Sequence, residues 1–220
     1  MTRMSRLLGL LVTFGLFSVV QAEAQSAENA LRDAGFEEDL PAEAGGWTFF
    51  DGSRVSADHA RSGRQSVYNW GFSRTVPAPP FLTGRASGSY QEFPATAGSR
   101  WRLTGYGMTP AQIEGYPAFG ILQISFFDAE GNDLGTVETE GDVSTRAKVS
   151  NEVNSLARVG EWLLLDTGVA TAPAGTATVQ AFTLFVDYSG SDIPQGAHFD
   201  DLRLCETDAG GDCLTGSSPQ

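Results

Sequence analysis

Short apolar segments separated by turn-forming residues run along the chain from Gln25 to about Cys205. The clearest are Ile121–Phe127 and Leu134–Val137, which flank the glycine-containing turn Asp128–Asp133 and predict a β-hairpin. The other predicted strands are rich in β-branched or aromatic residues and bounded by Gly, Pro, Ser or Asp: Ser66–Phe72, Ser89–Phe93, Trp101–Met108, Glu161–Asp166, Thr178–Val186 and His198–Leu204. About eight antiparallel strands predict an all-β fold, a two-sheet β-sandwich of the jelly-roll type.

Helix is nearly absent from this pattern. The chain has 26 glycines and 10 prolines, which excludes a bundle of long helices. The stretch Thr145–Arg158 contains helix-forming residues interrupted by serines and asparagines, and the sequence leaves a short helix and a loop equally open. We expect one β-sandwich domain over residues 25–205 and a flexible tail over 206–220.

The two ends of the chain indicate an exported protein. Residues 1–24 contain Arg3 and Arg6, an apolar run over Leu7–Val20 and an A-x-A site, which predicts a cleaved signal peptide and a secreted or periplasmic product. The apolar run is short for a membrane-spanning helix, and an uncleaved anchor is the alternative. Cys205 and Cys213 have seven residues between them and are expected to pair in an oxidising compartment, with a metal site as the weaker alternative.

Net charge limits the partners. The 220 residues include 27 acidic and 14 basic side chains, giving a net charge of −13 at pH 7, and Lys148 is the single lysine. Because such a surface repels phosphate, the charge argues against nucleic acid and anionic lipid as partners, and no membrane association is expected once the signal peptide is cleaved. The oligomeric state cannot be read from the sequence.

One carboxylate is placed by strand alternation. In the predicted strand His198–Leu204, Asp200 shares a face with Leu202 and Leu204, which predicts that it points towards the core. A buried carboxylate is costly unless it meets a cation, a metal or several hydrogen-bond donors.

Several segments resemble carbohydrate-binding modules of the family-four/nine type, which are galactose-binding-like jelly rolls that bind cellulose or xylan. The matching segments are Asn29–Glu37, Ala60–Ser66, Tyr90–Gly98, Phe126–Gly131, Ala172–Thr176 and Phe199–Leu202. They occur in the family's order over most of the chain, and their order makes the resemblance specific where each motif alone is weak. The stretches Ser73–Ser87 and Glu138–Gly160 look like insertions.

The resemblance implies a structural Ca²⁺. Its ligands would be the carboxylates of Glu37 and Asp200, with backbone carbonyls from Arg61 to Gln65. Calcium takes six to eight oxygen ligands, so two carboxylates in one site agree with it. The alternative is that Glu37 and Asp200 pair with arginines such as Arg61 or Arg203.

In such modules aromatic rings stack on sugar rings while amides and carboxylates read hydroxyl groups. The predicted ligand-binding residues are Tyr106 and Gln123 on a common groove, Gln180, and Tyr68, Trp70 or Phe72 beside the proline-rich insertion; Tyr116 is either a binding residue or a packed loop anchor.

The predicted function is a secreted, non-catalytic polysaccharide-binding protein. Catalysis has little support, because no G-x-S-x-G elbow occurs and His59 and His198 lie in segments that match the family scaffold. The alternatives are an exported surface or matrix protein that uses the same sandwich for protein contacts and, less favoured, a small polysaccharide lyase or hydrolase.

Overall fold

The computed structural model describes residues 29–38, 40–71, 85–114, 117–139, 147–189 and 193–214. The predicted signal peptide, Phe72 and Tyr116 lie outside the described residues. The strands in chain order are β1 Thr48–Phe50, β2 Arg54–Ser56, β3 Ser66–Trp70, β4 Arg85–Pro94, β5 Arg100–Met108, β6 Ala118–Phe127, β7 Asp133–Gly135, β8 Lys148–Val149, β9 Val153–Asn154, β10 Leu163–Thr171, β11 Thr178–Asp187 and β12 Gly196–Glu206. Helical structure in this part of the chain consists of two single 3-10 turns, Ala42–Ala44 and Val137–Thr139.

The strands form two antiparallel sheets packed face to face. The seven-stranded sheet has the order β1-β4-β11-β6-β7, with β8 and β9 also pairing with β6, and the five-stranded sheet has the order β10-β5-β12-β3-β2. The prediction of an all-β, two-sheet antiparallel sandwich is confirmed. In the part of the chain that the structure describes, no helix is long and apolar enough to cross a membrane.

Alternation along the central strands builds the core. On β11, Val179, Ala181 and Phe185 point between the sheets and are fully buried, whereas Gln180 and Phe182 face outwards and are half-buried. Both flanking strands, β4 and β6, pair with β11 along its whole length, so their outward residues stand beside those of β11. The seven-stranded sheet therefore carries a continuous outer face of mixed polar and aromatic residues.

A bulge in β12 reverses the expected direction of Asp200. Asp200 pairs with Tyr106 and Arg203 pairs with Thr104, so two residues of β12 stand opposite one residue of β5. Asp201 within the bulge has a φ of 49°. The extra residue shifts the alternation, so that Leu202 and Leu204 fill the core while Asp200 lies on the outer face with Tyr106. The prediction that Asp200 faces the core was wrong in its direction, although Asp200 is fully buried.

The hairpin of β6 and β7 is confirmed. In Thr145–Arg158, the described residues form the short strands β8 and β9 and connecting loops, which resolves the open choice against a helix there.

The predicted pairing of Cys205 with Cys213 is also confirmed. The part of the expected tail that the structure describes, 206–214, is bonded to the sandwich, because the Thr207 N–H donates to the carbonyl of Arg100 at 2.6 Å and the Arg100 guanidinium donates to the carbonyl of Ala209 at 2.9 Å.

Candidate functional site

The predicted ligand-binding residues are divided between opposite faces of the molecule. Tyr106 lies on β5, and Tyr68 and Trp70 lie on β3, all on the outer face of the five-stranded sheet. Gln123 on β6 and Gln180 on β11 lie on the outer face of the seven-stranded sheet. The expectation that Tyr106 and Gln123 line a common groove was therefore wrong, since the sandwich core separates them.

On the five-stranded sheet, two tyrosine rings are already covered. The Arg61 guanidinium lies 3.4 Å from the Tyr106 ring centroid and also forms an ion pair with Asp201. The Tyr68 ring has the Arg54 guanidinium at 5.3 Å and the His198 ring at 4.6 Å between centroids. Stacking of this kind occupies ring faces that a sugar would need. The ring faces of Tyr106 and Tyr68 that these groups cover are therefore closed to a sugar in this arrangement, and their role in binding stays a prediction, as does that of Trp70.

The loop that covers Tyr106 is held by Asp200. Asp200 Oδ2 accepts the backbone N–H groups of Arg61 at 2.7 Å and Ser62 at 3.2 Å, and its Oδ1 accepts the N–H of Asp201 at 2.7 Å. Burial raises the pKa of Asp200, and these N–H donors act in the opposite direction. Asp200 thus meets the donors that a buried carboxylate requires.

Glu37 holds the other half of the same loop. Its Oε1 accepts the backbone N–H groups of Arg64 and Gln65, each at 2.8 Å, and these bonds lower the pKa of Glu37. Gly63 between them has a φ of 60°, and a Cβ there would stand 2.3 Å from Glu37 Oε1. Only glycine fits this close approach. Residues 61–65, here termed the clamped loop, are therefore fixed by two carboxylates.

The alternative to calcium, in which Glu37 and Asp200 pair with arginines, accounts for only some of the contacts in this region. The Arg61 guanidinium pairs with Asp201, and Arg64 Nε stands 3.8 Å from Glu37 Oε2. The hydrogen-bond donors that Asp200 meets among the described residues are neutral backbone N–H groups, which do not supply a full counter-charge to its buried carboxylate. Two carboxylates that face the same loop, Glu37 and Asp200, are a donor set that suits calcium. The described residues contain no group of three His, Cys, Asp or Glu side chains that could hold a metal, so further ligands would have to be backbone carbonyls.

A serine and a histidine meet behind the clamped loop. Ser66 Oγ lies 2.8 Å from His198 Nδ1 and donates to the carbonyl of His59 at 2.7 Å. Ser66 and His198 are 0% and 2% exposed, and burial lowers the pKa of His198 to about 4. A buried hydroxyl that is already donating its proton, beside a weakly basic imidazole, is not an accessible nucleophile. The pair is explained as packing.

The outer face of the seven-stranded sheet carries a regular two-row arrangement over three adjacent strands. Its first row places Tyr90, Phe182 and Gln123 side by side, and its second row places Glu92, Gln180 and Ser125 side by side. We call these six residues the platform. The rings of Tyr90 and Phe182 are 5.3 Å apart between centroids. An aromatic row thus runs beside a polar row.

The polar side chains of the platform are joined by hydrogen bonds. Gln180 Nε2 donates to Glu92 Oε2 at 2.6 Å within the polar row, and Gln123 Nε2 of the first row donates to Ser125 Oγ of the polar row at 3.1 Å. Glu92 is exposed, and Gln180 and Gln123 are half-buried. Each of these amides has a second N–H and a carbonyl oxygen, so the platform offers both donors and acceptors. The platform can therefore stack an apolar ring face and bond to hydroxyl groups.

Of the platform residues, the sequence singled out Gln123 and Gln180 as candidates but not Tyr90, Glu92 and Phe182. Phe182 was detectable, because it lies two positions from Gln180 on one strand and shares its face. Tyr90 and Glu92 join them only through the register between β4 and β11, which the sequence does not show.

A cleft of about 1160 Å³ adjoins the platform at β4. It is lined by Tyr90 and Glu92 of the platform, by the segments Asn29–Arg32 and Ala42–Gly46, and by Thr48, Thr96, Ser99, Trp101 and Glu206 among others.

Comparison with known proteins finds similarity in fold. No protein-family model matches the chain, and no curated protein matches its sequence. TmCBM61 in complex with β-1,4-galactotriose is 16% identical, with a TM-score of 0.45, and the match covers 82% of this chain and 99% of that one. The CBM22-1 xylan-binding domain from Paenibacillus barcinonensis Xyn10C is 16% identical, with a TM-score of 0.48, and the match covers 84% of this chain and 99% of that one. The arabinose-bound MgGH51 α-L-arabinofuranosidase is 12% identical, with a TM-score of 0.50, and the match covers 84% of this chain and 27% of that one. The chain thus spans about a quarter of the arabinofuranosidase. The family-four/nine assignment stays a prediction.

Proposed function

We propose that this chain is a non-catalytic carbohydrate-binding protein whose polysaccharide ligand lies on the platform. The observation that carries the proposal is the pairing of an aromatic row, Tyr90 and Phe182, with a row of hydrogen-bonded polar side chains, Glu92 and Gln180. Sugar rings present an apolar face and a rim of hydroxyl groups, which these two rows match.

The rigidity of the platform supports the same function. All six side chains project from the adjacent strands β4, β11 and β6 over a buried core, and β11 between the other two is paired on both sides along its whole length. A site on a rigid sheet loses little conformational entropy when a ligand binds. Contacts made by such preformed side chains are therefore effective even when each is weak.

A calcium ion is part of the proposal, with Glu37 and Asp200 as its carboxylate ligands. The clamped loop from Arg61 to Gln65 would supply backbone carbonyls. The fit rests on the buried charge of Asp200 and on the all-oxygen donor set. Bound calcium would neutralise both carboxylates and tie the loop to β12, and it would take no part in ligand binding on the opposite sheet.

Export is the remaining part of the proposal. The signal-peptide pattern of residues 1–24 and the Cys205–Cys213 disulfide both support an oxidising destination, secreted or periplasmic.

The deciding experiment is depletion of the purified protein by insoluble polysaccharides, with xylan, β-1,4-galactan and cellulose as probes. We expect retention on at least one of them, weakened by Phe182→Ala or Tyr90→Ala at least tenfold, since losing an aromatic anchor costs about 2 kcal/mol. Tyr106→Ala on the opposite sheet is the matched control and should bind like the parent.

Failure of all three probes to retain the parent protein contradicts the function and favours the surface-protein alternative. If Tyr106→Ala abolishes retention and Phe182→Ala leaves it intact, the site lies on the five-stranded sheet and the platform proposal is contradicted. Release of reducing sugar or unsaturated products from a probe contradicts the non-catalytic assignment.

A further inference from the structure

Part of one edge of the seven-stranded sheet has no strand beside it. Strand β1 pairs with β4 only at Gly88–Tyr90, whereas β4 continues to Pro94. The chain before Thr48 forms the 3-10 turn Ala42–Ala44 instead of continuing along β4. Beyond the pairing with β1, the side of β4 that faces away from β11 therefore borders the cleft, whose lining includes Glu92 and Pro94.

The hydrogen bonds of β4 show which of its backbone groups point into the cleft. Consecutive residues of a strand direct their N–H and C=O groups to opposite sides. The Ala95 N–H donates towards β11, to the carbonyl of Ala177 at 2.9 Å, and β4 pairs with β11 without a break in register. Glu92 therefore directs its N–H and C=O, and Pro94 its C=O, away from β11. These three groups have no hydrogen-bond partner among the described residues.

The edge of the other sheet is closed where the structure describes it. Strand β10 is the edge strand there, and the Asn151 side chain bonds to it as a neighbouring strand would. Its Nδ2 donates to the carbonyl of Leu164 at 2.9 Å, and its Oδ1 accepts the N–H of Asp166 at 3.0 Å. Covering an edge in this way protects a sheet from pairing with another chain. At Glu92 the described residues provide no such cover.

We propose that the cleft binds an extended, basic segment of a partner protein, which adds to β4 as a short strand in line with β1. Strand addition takes its affinity from backbone hydrogen bonds and its specificity from alternate side chains. The segment would accept a hydrogen bond from the Glu92 N–H and donate to the carbonyls of Glu92 and Pro94. This protein interaction is separate from glycan binding on the platform and does not rest on it.

The charges of the cleft favour a basic partner. The described lining contains the carboxylates of Glu43, Glu92 and Glu206 against the guanidinium of Arg32, which already donates to the carbonyl of Ala44 at 2.8 Å. The whole chain has a net charge of −13. Complementary charges speed the encounter of two proteins and disfavour partners of like charge. Lysine or arginine side chains of the segment would meet carboxylates in this cleft, and acidic ones would be repelled.

The register of an added strand gives the expected sequence pattern. Residues directly opposite one another in an antiparallel pair project to the same face of the sheet. The partner residue opposite Glu92 would therefore lie beside the Glu92 carboxylate, which favours lysine or arginine there. Its two neighbours would project to the core side, where Leu31, Ala95 and Trp101 line the cleft. We therefore expect a segment that alternates apolar and basic residues.

The test measures binding of synthetic peptides to the purified protein by fluorescence anisotropy. The basic probe is a short peptide that alternates valine and lysine. One control peptide replaces lysine by glutamate, and a second carries methyl groups on the lysine backbone nitrogens, which removes the donors that would face β4. We expect the basic probe to bind about tenfold or more tightly than either control, because one loses the charge complementarity and the other the strand pairing.

Variants of the protein separate the backbone from the charge. Glu92→Pro removes the N–H that points into the cleft and leaves the pairing with β11, to which that N–H does not contribute. It should weaken the basic probe about tenfold or more, whereas Glu92→Ala, which keeps the N–H, should weaken it about threefold. The double variant Glu43→Gln/Glu206→Gln should also bind the probe about threefold more weakly. It should retain polysaccharide like the parent, since neither residue belongs to the platform.

Hydrogen exchange on the unaltered protein detects the added strand directly. The Glu92 amide should exchange rapidly in the protein alone, and about tenfold or more slowly when the basic probe is bound, because an amide in a strand pair is protected. The acidic control peptide should leave the exchange rate unchanged.

Several results would overturn the inference. Absence of binding by the basic probe, or equal binding of its N-methylated form, contradicts strand addition. Slow exchange of the Glu92 amide in the protein alone shows that another segment of the same chain already pairs there, and exchange that slows as the protein is concentrated shows that a second copy does. Protection by xylohexaose but not by the basic probe assigns the cleft to glycan instead. The platform proposal is decided separately, by the depletion experiment.

Discussion

Removing the Asp200 carboxylate tests what holds the clamped loop. Asp200→Ala deletes the acceptor of three backbone N–H bonds, of which those from Arg61 and Ser62 join β12 to a loop more than a hundred residues away in sequence. Each buried donor left without an acceptor costs about 1–3 kcal/mol, and water can reach part of this loop, so we expect a total loss of about 2–4 kcal/mol in unfolding free energy. Asp200→Asn keeps one acceptor oxygen and should lose less.

Urea unfolding in the presence of excess chelator measures this loss without any metal contribution. Repeating it with calcium tests the metal. A ligand at a hundredfold excess over its Kd stabilises the folded state by about 2.7 kcal/mol, so the parent should gain about that much and Asp200→Ala should gain nothing. Asp201→Asn, in the neighbouring ion pair on a partly exposed surface, is the control and should cost about 1 kcal/mol.

Two results would refute this reasoning. An Asp200→Ala variant that loses less than about 1 kcal/mol in chelator shows that the N–H groups find equally good partners in water. A calcium response that survives in Asp200→Ala removes Asp200 from the metal site, and absence of a response in the parent removes calcium.

The remaining predictions concern other parts of the molecule. The pKa of His198 is about 4 in the folded protein and 6.5 in the unfolded chain, so the unfolded state binds the proton more readily and the parent should lose about 3 kcal/mol of stability as pH falls from 6.5 to 4 in chelator. His198→Asn, which keeps a donor to Ser66, should lose less over this range. An identical pH profile for parent and variant contradicts the burial argument. Thiol titration of the unfolded, unreduced protein should find no free thiol, and two thiols would disprove the Cys205–Cys213 pair. Tyr106→Ala should lose about 1–2 kcal/mol of stability with the Arg61 contact, measured by urea unfolding, and an unchanged stability would show that the contact is not formed in solution.

The strand pattern predicted the fold because alternation is a local property. In Thr178–Val186 the alternating small or apolar residues identify the core face, and the neighbouring positions identify the outer face, without knowledge of any other strand. The Cys205–Cys213 pair was equally accessible, since two cysteines close in sequence have few alternatives.

The proposed binding face could not be predicted from the sequence, because it depends on which strands become neighbours in the sheet. Tyr106 and Gln123 both alternate with core residues, and nothing in either strand shows that β5 and β6 belong to different sheets. The platform exists only because the register places Tyr90 and Gln123 on either side of Phe182.

The sequence by itself determined the fold class, the core-facing positions of most strands and the disulfide, because each follows from local periodicity or from the presence of two neighbouring cysteines. Tertiary structure decided which side chains share the proposed binding face and the direction of Asp200. A bulge of one residue in β12 reverses the alternation there, and a bulge is visible only in the pairing with β5, which is a contact between segments about a hundred residues apart.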